Sequence, residues 1–342
     1  MRKEIIKTYF NDIAYVIMKY DYFIEGIVDK TLKGHKHSIT CINVLPNNQI
    51  ITGSNDKTCI IWKNTGEIDK VLKGHKQVIT CINVLTNGQI VSGSMDSSCI
   101  IWKDTGEIDK VLTSHTNSVI CINILPNAQI ISGSWDHTCI IWKDTGKVDK
   151  VLRGHTNWIT CINILPNRQI VTGSCDDTCI LWKDDGKIDK VLRGHTASVN
   201  CISILSNKRI VSGSSDNTCI IWYPQGGKIY KILRGHTDRV TCINIVPSKD
   251  GKQIVSGSGD GNCIIWKPNG SKILKGYTDS IKCISILPNE QILTISNNST
   301  CIWKENGEIG RILKDDSMRY MSCLPNGQLV ATSTDNALII IK

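Results

Sequence analysis

The chain has 342 residues, 41% of them hydrophobic and 21% charged, and its 40 Lys and Arg against 31 Asp and Glu give a formal net charge of +9. No stretch approaches the roughly 18 consecutive apolar residues that a membrane-spanning helix needs, so a soluble chain with no membrane partner is expected. Length alone would allow two or three domains, although closed all-β folds of this size also form a single unit.

Residues 1–25 read as an N-terminal extension. In MRKEIIKTYFNDIAYVIMKY the apolar runs are broken by Lys7, Asp12 and Lys19. The continuous hydrophobic region of a secretory signal is therefore missing, and an intracellular, cytoplasmic protein is expected. Residues 26–342 read as one domain. Its first predicted strand is Gly26 to Leu32, GIVDKTL, which leads directly into Gly34-His35.

From that point the sequence repeats itself. Trp62, Trp102, Trp142, Trp182 and Trp222 stand 40 residues apart, followed by Trp266 and Trp303. A unit reads GHTxSITCINILPNxQIVSGSxDxTCIIWKDTGKIDKVLR. Its runs SITCINIL, QIVSGS, TCIIW and KIDKVL are rich in β-branched residues and are separated by LPN, Ser-x-Asp and DTG turns, which predicts four antiparallel strands per unit. A lone four-stranded sheet cannot bury both of its apolar faces. Successive sheets must stack around an axis, and the fold class is an all-β propeller.

The inner three strands of successive units are predicted to begin near Ser38, Val78, Ser118, Trp158, Ser198, Arg239 and Ser280. In the seventh unit Tyr277 replaces His, and ISNNSTCIW is one residue short and lacks the Asp. The region from Tyr277 onward is therefore expected to be the least rigid. An eighth, degenerate set spans about Met318 to Ile341, with Ala331 at the Ser position and Ile341 at the Trp position, and no fourth strand follows it. GIVDKTL matches the fourth-strand pattern GEIDKVL, so the count is eight blades. Residues 4–19, EIIKTYFNDIAYVIMK, loosely match QIITGSNDKTCIIWK and compete for the same closing position. Seven blades with decorated ends is the alternative.

Fourteen of the sixteen cysteines follow the repeat. Seven lie in TCI-like runs (Cys41, Cys81, Cys121, Cys161, Cys201, Cys242, Cys283) and seven just before a tryptophan (Cys59, Cys99, Cys139, Cys179, Cys219, Cys263, Cys301), where each reads as a small buried hydrophobe. No CxxC pair exists. The CxxxC of Cys175 and Cys179 divides between a turn and a strand, so neither metal nor cofactor is expected, and unpaired thiols fit a reducing compartment. The cationic excess is spread by Lys63, Lys103, Lys143, Lys183, Lys267 and Lys304 and by Lys70, Lys110, Lys150, Lys190 and Lys231. Without a compact basic run interleaved with aromatics, binding of nucleic acid or other anions is the alternative function and not the first.

The Gly-His pair, the Ser/Thr-Gly-Ser-x-Asp turn and the strand-ending Trp resemble the WD-repeat β-propeller family over nearly the whole chain. The resemblance implies a protein-binding platform and no enzyme. It implies a structural hydrogen-bonded tetrad in six blades: His35, Thr52, Asp56, Trp62; His75, Ser92, Asp96, Trp102; His115, Ser132, Asp136, Trp142; His155, Thr172, Asp176, Trp182; His195, Ser212, Asp216, Trp222; and His236, Ser256, Asp260, Trp266. It also implies that a strand from one terminus completes the last blade. A Ser-His-Asp trio can be a hydrolytic triad. Six copies, each tied to a Trp indole, fit a buried polar network better. The GSGDGNC string from Gly257 to Cys263 is followed by a strand and carries no Lys-Ser/Thr, so it reads as the same turn and not as a phosphate loop.

Function is sought where the units differ. Two loop positions vary, one three residues after His and one just before the tetrad Asp, and the resemblance places both on the top face. Blades 2 to 4 offer Val78, Met95, Trp135, Trp158 and Cys175 there, while blades 1, 5 and 6 offer small or polar residues. Two tryptophans flanked by Met and Val favour a protein-binding patch over simple loop packing. Lys36, Lys76 and Arg239 add a basic rim for an acidic partner. The SGSWD turn and the LPN-x-QI phrasing are also similar to the propeller of the ubiquitin-binding phospholipase-activating protein family, which makes ubiquitin, or a peptide segment, the leading partner.

Overall fold

The computed structural model describes residues 28–246, 253–275, 279–287, 290–296, 299–304, 308–313, 318–323, 329–333 and 336–341. Among them there is no helix. The strands form eight sheets of four, and every sheet is antiparallel throughout. Blade I contains Ile39–Val44, Ile50–Ser54, Thr58–Trp62 and Ile68–Lys73, ordered from the centre of the ring outward. Blades II to VII repeat this order, and the inner strand of each blade lies against the inner strand of the next. The inner strand of blade VIII, Met318–Cys323, lies between those of blades VII and I, so the ring is closed.

The burial of each strand follows from its place in this ring. Second and third strands are covered on both faces by neighbouring blades, and Ile50–Ser54, Ile90–Ser94 and Ile130–Ser134 are buried at every residue. They are therefore runs of Ile, Val, Ser, Thr and Gly with no polar alternation. Outer strands such as Ile68–Lys73 bury only their Leu, and hold Lys and Asp elsewhere.

The core is divided into layers between blades. Leu45, Ile51, Cys59, Ile61 and Leu72 of blade I pack with Ile79, Ile90, Ile100 and Trp102 of blade II. The same arrangement recurs around the ring. It ends with Leu32, Val330, Leu338 and Ile340 of blade VIII against Ile50, Ile60 and Trp62 of blade I.

Two details show how tightly the units are fitted. A β-carbon on Gly53 would stand 2.5 Å from Ile79 Cγ2 of the next blade and 2.7 Å from Cys41 Sγ, so the middle of Ser/Thr-Gly-Ser has no room for a side chain. A β-carbon on Gly34 would meet Trp62 at 2.8 Å and Ile68 Cδ1 at 2.9 Å. Blade III alone has serine, Ser114, at that place, and it also has the shorter Val148 where blades I, II, IV and V have Ile. Losing the Cδ1 atom removes one of these two contacts, while the tryptophan is retained as Trp142.

Each inner strand opens on a register shift, between Ile39 and Cys41 in blade I and between Ile79 and Cys81 in blade II. Neighbouring blades then clasp one another through side chains. The Thr40 hydroxyl donates to the Ile79 carbonyl at 2.6 Å, Thr80 to Val119 at 2.5 Å and Thr160 to Val199 at 2.6 Å. Three residues along the same strands, amides do the same, Asn83 to the Ile122 carbonyl at 3.3 Å and Asn163 to Ile202 at 3.2 Å. Inner-strand carbonyls are thus satisfied across the blade boundary.

The eighth blade decides the count. Its strands Met318–Cys323, Leu329–Ser333 and Ala337–Ile341 are completed by Val28–Lys33, with Leu32 opposite Leu338 and Lys33 opposite Ala337. The ring has eight blades, and the expected closing strand is present, observed at Val28–Lys33 where Gly26 to Leu32 was predicted. Gly26, Ile27 and the competing segment 4–19 lie outside the described residues. Lys30 Nζ of this strand also donates to the Thr65 carbonyl of blade I at 2.9 Å, which ties the last blade to the first.

Candidate functional site

One end of the ring carries the turns between second and third strands and the Gly-His loops that enter the inner strands. Both kinds of loop are held by the His, Ser/Thr, Asp and Trp of each unit. In blade III the Trp142 indole N–H donates to Ser132 Oγ at 2.8 Å, Ser132 Oγ lies 2.8 Å from His115 Nε2, and His115 Nδ1 lies 2.7 Å from Asp136 Oδ2. The network is present in all six predicted blades. Its Nδ1 to carboxylate distances are 2.9 Å at His35 and His75, 2.7 Å at His155 and His195, and 3.2 Å at His236. Thr52, Ser92, Thr172, Ser212 and Ser256 accept from Trp62, Trp102, Trp182, Trp222 and Trp266 at 2.8 to 2.9 Å. With Nδ1–H given to the carboxylate, donation runs one way from indole to hydroxyl to imidazole to carboxylate, and no donor is wasted.

The carboxylate gathers further donors. Asp136 Oδ2 accepts the Thr116 N–H at 3.0 Å, and Oδ1 accepts the Thr138 N–H at 2.9 Å and hydroxyl at 2.6 Å. The Asp thereby pins the Gly-His loop to the turn before the third strand. Burial by itself would raise the pKa of Asp56, Asp96, Asp136, Asp176, Asp216 and Asp260, but these hydrogen bonds and the adjacent His outweigh it and hold all six below the usual carboxylate range. Burial lowers the pKa of His195 and His236 despite their Asp partners.

Both shifts act in the same direction with pH. Each native group binds its proton less readily than the unfolded chain does, so its contribution is complete above the unfolded pKa and is lost as pH falls through the folded one. Stability is expected to begin declining below the ordinary His value of 6.5 and to fall more steeply below the ordinary Asp value of 3.8. Thermal midpoints measured from pH 7.5 to 3 check this; a midpoint that rises on acidification would contradict it.

The geometry copies that of a hydrolytic triad, yet the hydroxyl is sealed. Ser132, Thr52 and Thr172 have no exposed surface, and their oxygens already receive an indole N–H. The repeated thiols before the tryptophans are buried and those of the inner strands half-buried, where desolvation still pushes Cys41 and Cys81 up to about 12 and Cys161 to about 11. Cys179 is buried in its strand, whereas Cys175 is half-buried in the turn. GSGDGNC forms the same turn as the other blades, with the Gly261 N–H on the Ser258 carbonyl at 3.3 Å.

In blade VII the Trp303 indole still donates to Thr294 at 2.6 Å. Tyr277, at the His position, lies outside the described residues. Ile295 occupies the place of the usual glycine, packed with Ala331 and Ile339 of blade VIII.

The two variable loop positions are brought together by one backbone bond per blade. The residue before the Asp donates its N–H to the carbonyl three residues after the His: Asn55 to Ser38, Met95 to Val78, Trp135 to Ser118, Cys175 to Trp158, Ser215 to Ser198 and Gly259 to Arg239, at 2.9 to 3.0 Å. Asn157 reinforces the loop in blade IV, its Oδ1 accepting the Trp158 N–H at 2.8 Å and its Nδ2 donating to the Cys175 carbonyl at 3.3 Å.

Across the boundary between blades III and IV, Trp135 and Trp158 stack, with ring centroids 4.7 Å apart and planes at 22°. Trp135 is half-buried, while Trp158 is 43% and Met95 41% exposed. Val78 is half-buried beside Met95, so blades II to IV carry an apolar sector. Lys36, Lys76 and Arg239 are all exposed, but only Lys76 shares a blade with this sector; Lys36 stands on blade I and Arg239 on blade VI.

The family model described as WD domain, G-beta repeat, matches residues 26–63, 66–103, 106–143, 146–183, 186–223 and 227–267. No curated protein matches the chain. Among solved structures, the crystal structure of the WD40 beta propeller domain of Doa1 is similar, with a TM-score of 0.66 and 21% identity over 92% of this chain and 96% of that one. At that identity the likeness concerns the fold.

Proposed function

The chain belongs to the WD-repeat family, and from that premise we propose that it is a non-enzymatic protein-interaction scaffold whose apolar sector, on the tetrad face of blades II to IV, binds a partner protein. The stacked pair Trp135 and Trp158 carries this reading. Stacking holds both rings in place and is worth about 0.5–1.5 kcal/mol beyond burial, so the exposed surface of Trp158 is presented with little ordering left to lose on binding. The sealed hydroxyls of the tetrads support a framework role for the Ser-His-Asp trios. The fifteen cysteines from Cys41 to Cys301 are free thiols, which supports a reducing intracellular setting. No helix among the described residues is long and apolar enough to cross a membrane.

Ubiquitin is the proposed partner. Its apolar patch suits an apolar sector, and the SGSWD and LPN-x-QI phrasing resembles the propeller of ubiquitin-binding phospholipase-activating proteins. Titration of the propeller with ubiquitin is expected to show saturable binding that falls at least about tenfold in a Trp135→Ala, Trp158→Ala double variant. If that variant keeps its thermal midpoint and captures the same proteins from a lysate as the wild type, the tetrad face is not the binding surface. Capture that survives in the variant but is competed by heparin would favour the anion-binding alternative.

A further inference from the structure

Blade V breaks the framework on a different surface, at the outer edge of the ring. In blades I to IV a glutamine after the first turn reaches an aspartate of the outer strand, Gln49 to Asp69 at 3.1 Å, Gln129 to Asp149 at 3.2 Å and Gln169 to Asp189 at 3.1 Å. The same aspartates sit beside the lysine that follows, as Asp109 does with Lys110 at 2.9 Å and Asp189 with Lys190 at 3.4 Å. In blade V the glutamine is Arg209 and the aspartate is Tyr230, and Tyr223 replaces the lysine that follows the tryptophan.

These three side chains have built a new cluster. The Arg209 guanidinium lies 3.7 Å from the centre of the Tyr230 ring and 4.8 Å from that of Tyr223, and the two tyrosines meet edge to face at 5.1 Å. Tyr223 is 41% and Tyr230 45% exposed. Between Val199 and Gly235 the only carboxylate is Asp216, which is committed to its tetrad, whereas Lys208, Arg209, Lys228, Lys231 and Arg234 are all cationic. None of these five has an ion-pair partner among the described residues. The outer strand Lys228–Arg234 is an edge strand, with Ile229 40% and Ile232 37% exposed along it.

We propose that this edge is a second docking site, for an acidic segment of a partner protein that binds in extended form along Lys228–Arg234. An open edge offers backbone groups for one more strand. The lysines discourage a second copy of the same basic edge and favour carboxylates. The planar guanidinium, held against the tyrosine rings and directing one N–H to the Tyr223 hydroxyl at 3.4 Å, keeps its remaining donors for a carboxylate, and the rings supply apolar contact.

The test is fluorescence anisotropy with a labelled decapeptide of alternating Glu and Val, beside its Lys and Val counterpart and a labelled deoxythymidine 12-mer. The acidic peptide is expected to bind and the basic one not to. An Arg209→Gln, Tyr230→Asp double variant recreates the Gln–Asp pair of the other blades, so it should fold as the wild type does. Its affinity for the acidic peptide is expected to drop at least about tenfold, while Trp135→Ala, Trp158→Ala leaves that affinity unchanged. Equal binding by the wild type and the Arg209→Gln, Tyr230→Asp variant overturns the proposal. So does tighter binding of the oligonucleotide than of the peptide, lost in the same variant, which would make the cluster a stacking platform for single strands.

Discussion

Replacing Asp136 by alanine is expected to lower the stability of the propeller by about 1–3 kcal/mol, the cost of leaving buried donors without an acceptor. The residue serves His115 Nδ1, the Thr116 N–H and both the N–H and hydroxyl of Thr138. Removing the carboxylate releases the Gly-His loop from the following turn and leaves the imidazole, which also holds Ser132, with one unsatisfied side. Asparagine is not expected to rescue it fully, because its NH2 group would face either His115 and the Thr116 N–H, which share Oδ2, or the Thr138 donors on Oδ1. Asp144→Ala, in an exposed turn of the same blade, should change stability by no more than about 0.5 kcal/mol. Thermal or urea unfolding distinguishes the two. An unchanged midpoint for Asp136→Ala would mean that the tetrad does not stabilise the blade.

Loss of the closing strand is expected to have a larger effect. Deleting residues 1–33 removes the fourth strand of blade VIII and with it Leu32, which is 8% exposed and packs with Ile60, Trp62, Leu338 and Ile340. Removing a buried leucine alone costs about 2–5 kcal/mol, and here the backbone partners of Ala337–Ile341 go as well. The strand left at the edge reads ALIII, an apolar sequence that invites pairing between molecules. A markedly lower thermal midpoint together with soluble aggregates in size-exclusion chromatography is expected. Leu32→Asp should reproduce the loss of stability while keeping the strand's backbone. A monodisperse deletion variant with a wild-type midpoint would show that the ring does not depend on Val28–Lys33.

Much of this was legible because the repeat reports the same local environment many times. A fully buried strand reads as IVSGS, an outer strand as KIDKVL, and the side-chain partners of a tetrad follow once the Trp register is known. Boundaries shifted by about a residue, from Ser38 to Ile39 and from Leu32 to Lys33, because bulges and closing pairs are set by partners in space. The variable positions of the tetrad face were also legible, including Trp135 and Trp158. Their stacking was not, since the two residues belong to different blades and meet only through the angle between adjacent sheets. Of the expected basic rim, Arg239 stands two blades from Trp158. The Arg209 cluster was visible in principle, as Tyr in place of Lys at 223 and Tyr in place of Asp at 230, but it lies on strands that elsewhere serve only the framework.

The sequence by itself determined the strands, their order within a unit, the propeller class and the identity of each tetrad. All of these depend on residues close together in one repeat, where chain geometry and alternating burial leave a local pattern. The eight-blade count and a closing strand at Gly26 to Leu32 were also read from the sequence, but only the tertiary structure decided them against the seven-blade alternative and showed which side chains of neighbouring blades come into contact. Those outcomes depend on ring curvature and on pairing between the two ends of the chain. No single repeat encodes either, because every unit presents nearly the same edges and faces to whichever neighbour the closed ring assigns it.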